Sequence, residues 1–431
     1  MSPCPEARPF TVSRGQAYYV FALLFLLYVF DFVDRFLVAS LFPHLKADWG
    51  LSDTQCGLLM SVVFWSVLIF TLPASVMVDR WSRKKSIGLM GIIWSLATGA
   101  CALTRNFTQL FTVRALVGVG EAGYVPGGYA MLSAYFPENK RATVNGLFNA
   151  AVPLGAAIGI ACGGIIAVKW GWRHVFGIMA LPGLVLALLM FRVKDYRTIR
   201  LVKKPGPLNR EAALELAELR DVVRGLLKTP SLLGTYMGYA GNMFVTSALM
   251  AWLPTFYNRT EGLAMDKAGI KASAIMLLAI IGAPLGGLIT DRLRRRRLDA
   301  RMIFPAASSL LTGLAVFAAF FLLRGKAQYG ALLVSGLAAP LFVAGAASVT
   351  QDVVHPGLRA MSFSLCSIIQ NLLGSSLGPI FVGWVSDRYG LETALVLIPI
   401  FNLLAAGSFF FGARHYQKDL ERVEPVSLVE D

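Results

Sequence analysis

Apolar stretches of roughly 20 residues alternate along the chain with short polar stretches, most of them basic. Each apolar stretch is long enough to cross a ~30 Å hydrocarbon layer at ~1.5 Å per residue. The pattern predicts helices at about 17–41, 54–77, 86–104, 107–133, 143–167, 174–191, 231–256, 270–290, 302–323, 329–350, 360–383 and 393–413. Residues 44–53 read as a short outer loop, with Ser52 and Asp53 placed to cap the second helix. Pro73 predicts a kink in the second helix and Pro182-Gly183 a bend in the sixth. Gly155, Gly159 and Gly163 recur every four residues in the fifth, a stripe bare of side chains that lets another helix approach closely.

These segments divide the chain into an N-terminal tail (1–16), a first six-helix bundle (17–191), a linker (192–229), a second six-helix bundle (230–413) and a C-terminal tail (414–431). The expected fold class is therefore all-α integral membrane, with twelve transmembrane helices. In the linker, residues 208–228 carry apolar positions at helical spacing with charges between them. A solvated linker helix is the simpler reading, and a helix lying on the membrane surface the other.

Charge fixes the orientation. Of the 40 Lys and Arg, 28 fall on the two tails and the loops that follow even-numbered helices, 10 on the other loops, and Arg35 and Arg114 inside helices. Basic residues stay on the cytoplasmic side. Both termini are expected there, in a multi-pass protein of the cell inner (plasma) membrane. The net charge of +15 needs no nucleic-acid partner, because the basic residues sit between apolar segments and form no aromatic-interleaved patch. The composition, 56% hydrophobic and 15% charged, excludes an ordinary soluble enzyme, which has about 25% charged residues. Cys4, Cys56, Cys101, Cys162 and Cys366 show neither metal-ligand nor disulfide spacing and read as small apolar residues. The first apolar segment is full length, carries charges and lacks a small-residue cleavage site, so it reads as retained rather than as a signal peptide.

Candidate chemistry lies in the first and fourth helices. Tyr28-Val-Phe-Asp31-Phe-Val-Asp34-Arg35 places three charges mid-segment, where each costs roughly 2.5–3.5 kcal/mol on insertion scales and marks a pathway by default. Asp31 and Arg35 are one turn apart and can pair; a purely structural ion pair is the simpler alternative. Arg114 and Glu121, seven residues apart, share one face of the fourth helix. No His lies at mid-membrane, so a proton relay has to use carboxylates. Asp34 and Glu121, with Asp31 beside them, are the expected proton-coupling groups. Arg35 is expected to alternate between them and a substrate anion, since a guanidinium stays charged and grips carboxylate or phosphate as a fork. Such groups should line a chamber that water can reach. Arg114 reads as a brace between the first and fourth helices. The second half has no ionisable residue at depth. Its expected cargo wall is Tyr239, Asn242, Met243 and Thr246 on the seventh helix, with Ser367, Gln370 and Asn371 on the eleventh; Asn149 joins them from the fifth. Helix packing explains each of these singly as well as cargo binding does.

The second half repeats the first. Ser75-Val-Met-Val-Asp79-Arg80-Trp-Ser-Arg83 matches Gly287-Leu-Ile-Thr-Asp291-Arg292-Leu-Arg-Arg295, and the glycine stripe matches Gly374, Gly378-Pro379 and Gly383. Two six-helix halves in one orientation make the parallel repeat of rocking transporters. With Arg114-x3-Gly118-x-Gly120-Glu121, these motifs resemble the major facilitator superfamily across essentially the whole chain. Asp34-Arg35, Gly118-Val-Gly-Glu121-Ala-Gly-Tyr124 and Ala180-Leu-Pro-Gly-Leu184 resemble its spinster branch. That resemblance implies secondary transport with no cofactor, and cytoplasmic latches at Asp79, Arg80 and Arg83, with Arg141, Asp291 and Arg292 in structural or gating roles. It also implies functional roles for Asp34, Arg35 and Glu121 in proton-linked export of lysolipids or related amphipaths. The anion:cation symporter branch, which moves organic anions with protons, shares the Asp-Arg pair and the Glu. The expected partners are protons, the bilayer and a small amphipathic or anionic substrate, with the protein a monomer. An enzyme would need a nucleophile with its base or a metal cluster. Neither is legible, since His44, His174, His355 and His415 all fall near helix ends. A non-transporting receptor is the remote alternative.

Overall fold

The computed structural model describes residues 13–193, 220–355 and 358–422, apart from the side chains of residues 76, 79, 80, 138, 139, 142 and 360. Helices account for nearly all of it, and no strand occurs among the described residues. Two compact units are present: residues 1–200 with 250–277, and residues 201–249 with 278–431. Of the linker helix predicted at 208–228, residues 208–219 lie outside the described residues and 220–228 are helical.

The first unit holds α1 (Arg14–Phe36), α2 (Phe42–Trp49), α3 (Asp53–Arg80), α4 (Arg83–Cys101), α5 (Phe107–Glu121), α6 (Tyr124–Tyr135), α7 (Glu138–Asn149), α8 (Ala151–Trp170) and α9 (Trp172–Met190). Its core packs α1 on α8 and α9, α4 on α5 and α9, and α3 on α5. The helix α10 (Pro230–Glu261) contributes its last turns to this unit, followed by α11 (Met265–Leu277), which packs on α8. The second unit holds the earlier part of α10, then α12 (Ala279–Arg294), α13 (Ala300–Phe317), α14 (Gly325–Ala338), α15 (Val343–Asp352), α16 (Arg359–Ile369), a π-helical stretch Gln370–Ser375, α17 (Leu377–Tyr389), α18 (Leu391–Leu397) and α19 (Pro399–Glu421). There α13 packs on α14, α15 and α19.

Several expectations are corrected. Residues 44–53 are largely helical rather than a loop: α1 tightens into a 3₁₀ stretch at Leu37–Leu41, and α2 follows with Pro43 in its first turn. It stops at Gly50, whose φ of 63° is left-handed and whose N–H donates to Lys46 O. The predicted fourth helix breaks at Ala122-Gly123 into α5 and α6, because Pro126 has no N–H to donate to Ala122 O. Pro153 and the α7–α8 junction at Ala150 repeat the device in the fifth. By contrast α3 runs through Pro73, and α9 through Pro182, as single helices.

Among the described residues, eight helical stretches are long and apolar enough to cross a membrane. They correspond to predicted helices 2, 5, 6 and 8–12. The other four are shorter or more polar: α1 carries Asp31, Asp34 and Arg35, α4 opens on Arg83-Lys84-Lys85, α5 and α6 are split, and α10 contains Asn242, Thr246 and Ser247.

Candidate functional site

Glycine packing assembles the site. A Cβ on Gly118 would lie 2.7 Å from Val63 O on α3, and one on Gly120 would lie 2.6 Å from Trp94 N on α4. With no side chain at either position, α5 wedges against both helices, and Glu121 at its end turns toward α1. On the other flank of α1, Gly155, Gly159 and Gly163 of α8 face Val29 O, Val33 O and Leu37 O. Here α1 is held backbone to backbone, and its charges have fixed positions.

Arg35 sits between two carboxylates. Its Nη2 lies 3.2 Å from Asp31 Oδ1 and 3.1 Å from Oδ2, and its Nε lies 2.8 Å from Glu121 Oε2. The rings of Phe32 and Phe64 lie 4.9 and 5.8 Å from the guanidinium carbon, within cation–π range. Asp34 is not in this pair: in this conformation Arg35 meets Asp31 and Glu121. Thr98 of α4 donates to its Oδ2 at 3.1 Å, and its Oδ1 has no hydrogen-bond partner. The reason is helical geometry: residues 31 and 35 share a face, and 34 turns toward α4.

Arg114 ties three helices together. Its Nε donates to Leu59 O of α3 at 2.7 Å, and its Nη atoms to Asp34 O and Arg35 O at 3.4 and 3.2 Å. Those two carbonyls lie at the C-terminal end of α1, where the change to 3₁₀ geometry leaves acceptors without α-helical donors. A side chain expected only as a brace thus also satisfies a helix end.

The five groups are closed in. Asp31 and Glu121 are 0% exposed, Arg114 1%, Asp34 2% and Arg35 7%. The expected water-reachable chamber is therefore not what this conformation shows, because every guanidinium is occupied by carboxylates or carbonyls from the same unit. Three carboxylates face two guanidiniums, an imbalance of one. Tyr28, Trp94 and Tyr124 complete the enclosure, with Tyr28 stacked 4.6 Å from Phe148 and Tyr124 donating to Leu24 O.

The other predicted residues scatter. Asn149 is exposed at the end of α7, accepting from Tyr129 at 2.8 Å and donating to Asn145 O. Asn242, expected on the cargo wall, is instead 2% exposed and spent inside the second unit. It donates to Ser309 at 2.8 Å and Gly238 O at 3.1 Å and accepts from Asn402 at 2.9 Å. A buried amide must be paired somewhere, and Asn402 and Ser309 pair it within the second unit. Tyr239 packs edge-on against Phe342 at 4.8 Å, with Met243 against the same apolar cluster. Thr246, Ser367, Gln370 and Asn371 are half-buried; Asn371 donates to Ser367 O, and Gln370 Oε1 has no hydrogen-bond partner. Arg83 is half-buried at the start of α4, Arg141 donates to Phe136 O at 3.3 Å, and Asp291 and Arg292 are exposed on α12. Asp79 and Arg80 end α3, and their side chains lie outside those described.

Sequence reasoning missed an ion cluster at the start of α3. Asp53, only 3% exposed in its side chain, takes Arg259 as a fork at 2.8 and 2.6 Å and Lys46 at 2.5 Å. Nothing in local spacing links residues 206 positions apart. Nearby on α2, burial holds the His44 imidazole below its usual range. Asp53→Asn removes the carboxylate charge that Lys46 and Arg259 share and is expected to lower unfolding free energy by about 1–3 kcal/mol. A thermal-unfolding scan checks this, and an unchanged midpoint would remove the cluster from the list of stabilising contacts.

Residues 24–379 match the family model described as Major Facilitator Superfamily. Among similar proteins is the hexuronate transporter of Bacillus subtilis, 28% identical over 389 residues, covering 88% of this chain and 90% of that protein. Protein spinster homolog 3 of Danio rerio is 26% identical over 456 residues, covering 97% and 90%. A crystal structure of a bacterial homolog to the human lysosomal transporter Spinster, in an inward-facing and unoccupied conformation, superposes with a TM-score of 0.82 at 24% identity, covering 96% of this chain and all of that one. The matched model takes in most of each half of the repeat and the whole charge network, so this chain belongs to the Major Facilitator Superfamily, as a membrane transporter related to spinster and sugar-acid carriers.

Proposed function

We propose that the protein is a proton-coupled secondary transporter for an anionic amphipath of the lysolipid type. In this reading twelve transmembrane helices form two six-helix bundles (17–191 and 230–413) that alternate access by rocking. The protein is a monomer of the inner membrane with both termini cytoplasmic. The observation that carries the proton role is the imbalance in the first unit: Asp34 is the carboxylate without a guanidinium on it, bonded only through Thr98. A single proton on Asp34 balances the network and leaves Arg35 with Asp31 and Glu121. When an anionic cargo draws Arg35 away, Asp31 and Glu121 both lose their cation, and Glu121 takes up a proton. Asp79, Arg80 and Arg83, with Arg141, Asp291 and Arg292, serve the closing of the cytoplasmic side.

The second unit favours an amphipath. Asn242 is consumed internally and Tyr239 and Met243 are packed among apolar side chains, which leaves Thr246, Ser367, Gln370 and Asn371 as the few polar groups. Gln370, with its unpartnered oxygen, is the strongest of these. A hydrophilic sugar acid would want more. The similarity to a hexuronate transporter supports that second reading: an organic-anion symporter.

Liposomes carrying the purified protein separate these readings when lysophosphatidylglycerol and glucuronate are offered under a pH gradient. Asp34→Asn and Glu121→Gln are each expected to abolish gradient-driven transport while cargo exchange at equal pH continues. Gradient-driven transport intact in both variants would sink the proton assignment; glucuronate movement alone would replace the lysolipid reading; binding without movement would leave a receptor.

A further inference from the structure

At the end of α12 the sequence Asp291-Arg-Leu-Arg-Arg-Arg-Arg297-Leu-Asp299 places five guanidiniums in six positions. Arg292, Arg295, Arg296 and Arg297 are exposed and Arg294 is half-buried. Among the described residues only Arg297 of these has an ion-pair partner, Asp299 at 3.1 Å. Below them on the same helix runs an apolar exposed stripe: Ile281 at 60%, Leu285 at 38% and Leu288 at 60%. Steps of four and three residues keep that stripe on one side of the helix, and the next steps of four and three reach Arg292 and Arg295. At ~1.5 Å per residue these lie about 6 and 10 Å beyond Leu288 along the axis. Exposed Leu293 (41%) and Leu298 (50%) interleave with the arginines.

We propose that this run is a docking surface for the anionic headgroups of membrane phospholipids. The inference rests on α12 crossing the bilayer and is independent of what the protein carries. A face that meets acyl chains must pass the headgroup layer within one or two turns, and here that layer meets guanidiniums. A guanidinium binds phosphate as a fork and lets its stem stay among apolar neighbours. Arginine in a last turn also suits the helix dipole, and basic loops suit orientation. Neither explains four consecutive arginines of which, among the described residues, only one has a carboxylate partner. A nucleic acid or acidic peptide would not need the interleaved leucines.

The test counts lipid bound to the purified full-length protein by native mass spectrometry, with phosphatidylglycerol, phosphatidylcholine or inorganic phosphate added. The wild-type chain is expected to retain phosphatidylglycerol over phosphatidylcholine by about five-fold per engaged guanidinium. Arg295→Gln/Arg296→Gln/Arg297→Gln should lose roughly ten-fold or more of that preference. Arg324→Gln/Lys326→Gln, from the basic loop before α14, should keep it. Should the triple variant not fold, salt titration of the wild-type protein replaces it: the preference must fall as salt rises. A preference unchanged in the triple variant or by salt overturns the proposal, and so does displacement of the lipid by inorganic phosphate alone.

Discussion

Arg35→Gln is expected to lower the stability of the first unit by about 3–5 kcal/mol, the usual cost of removing one member of a buried ion pair. The loss belongs at the upper end of that range, because Asp31 and Glu121 both lie at 0% exposure and both depend on this guanidinium. Glutamine can give each carboxylate a neutral hydrogen bond at best, and it forfeits the contacts with Phe32 and Phe64. Chemical or thermal unfolding of the purified protein measures the effect. The double variant Arg35→Gln/Glu121→Gln separates charge from packing: with one buried carboxylate neutralised, about 0.5–3 kcal/mol should return as coupling between the two sites. If the single variant unfolds within about 1 kcal/mol of wild type, a typical surface-pair effect, the network is not a buried electrostatic unit.

Gly159→Val should be nearly as damaging, with no charge involved. A Cβ there would stand 2.6 Å from Val33 O, 3.0 Å from Val33 Cα and 3.2 Å from Leu37 N. All three are backbone atoms, of α1 and of the 3₁₀ stretch that continues it, and no rotamer change relieves them. Overpacking typically costs 1–3 kcal/mol, and about 3 is expected where backbone must move. The displacement has a functional consequence: α1 carries Arg35, and moving it off α8 stretches the 2.8 Å contact with Glu121. Transport should therefore fall in whatever fraction remains folded. Gly177→Ala is the matched control, since a Cβ at that position meets nothing within 4 Å. Equal expression and unfolding midpoints for Gly159→Val and Gly177→Ala would show that the stripe is not a packing seam.

Much of this site can be read without coordinates. The Asp31–Arg35 pair follows from i,i+4 spacing, and charges inside an apolar segment single out Asp34, Arg114 and Glu121. The glycine spacing predicts a close helix approach, and Gly118 and Gly120 stand just before Glu121. Periodicity also says that Tyr239, Asn242, Met243 and Thr246 share a face of α10. It does not say what that face meets. Asn242 turns to Ser309 and to Asn402, 160 residues away, because buried amides need partners and those two lie in the same unit. Thr98 on Asp34 and the three carbonyls on Arg114 are invisible for the same reason. A hydroxyl or carbonyl carries no sequence signal for the charge it meets across a helix pair.

The sequence by itself determined the class of molecule: repeated apolar lengths, basic loops and a duplicated Asp-Arg motif leave little beside a two-fold repeated membrane transporter. Those are properties of length, period and composition, and they hold whatever the packing. Only the tertiary structure decided which carboxylate Arg35 leaves without a guanidinium, that the network is shut away from water in this conformation, and that Asp53 gathers Lys46 and Arg259. Each depends on distances of about 3 Å between helices far apart in the chain, and helical period fixes the face of a residue but not its neighbour.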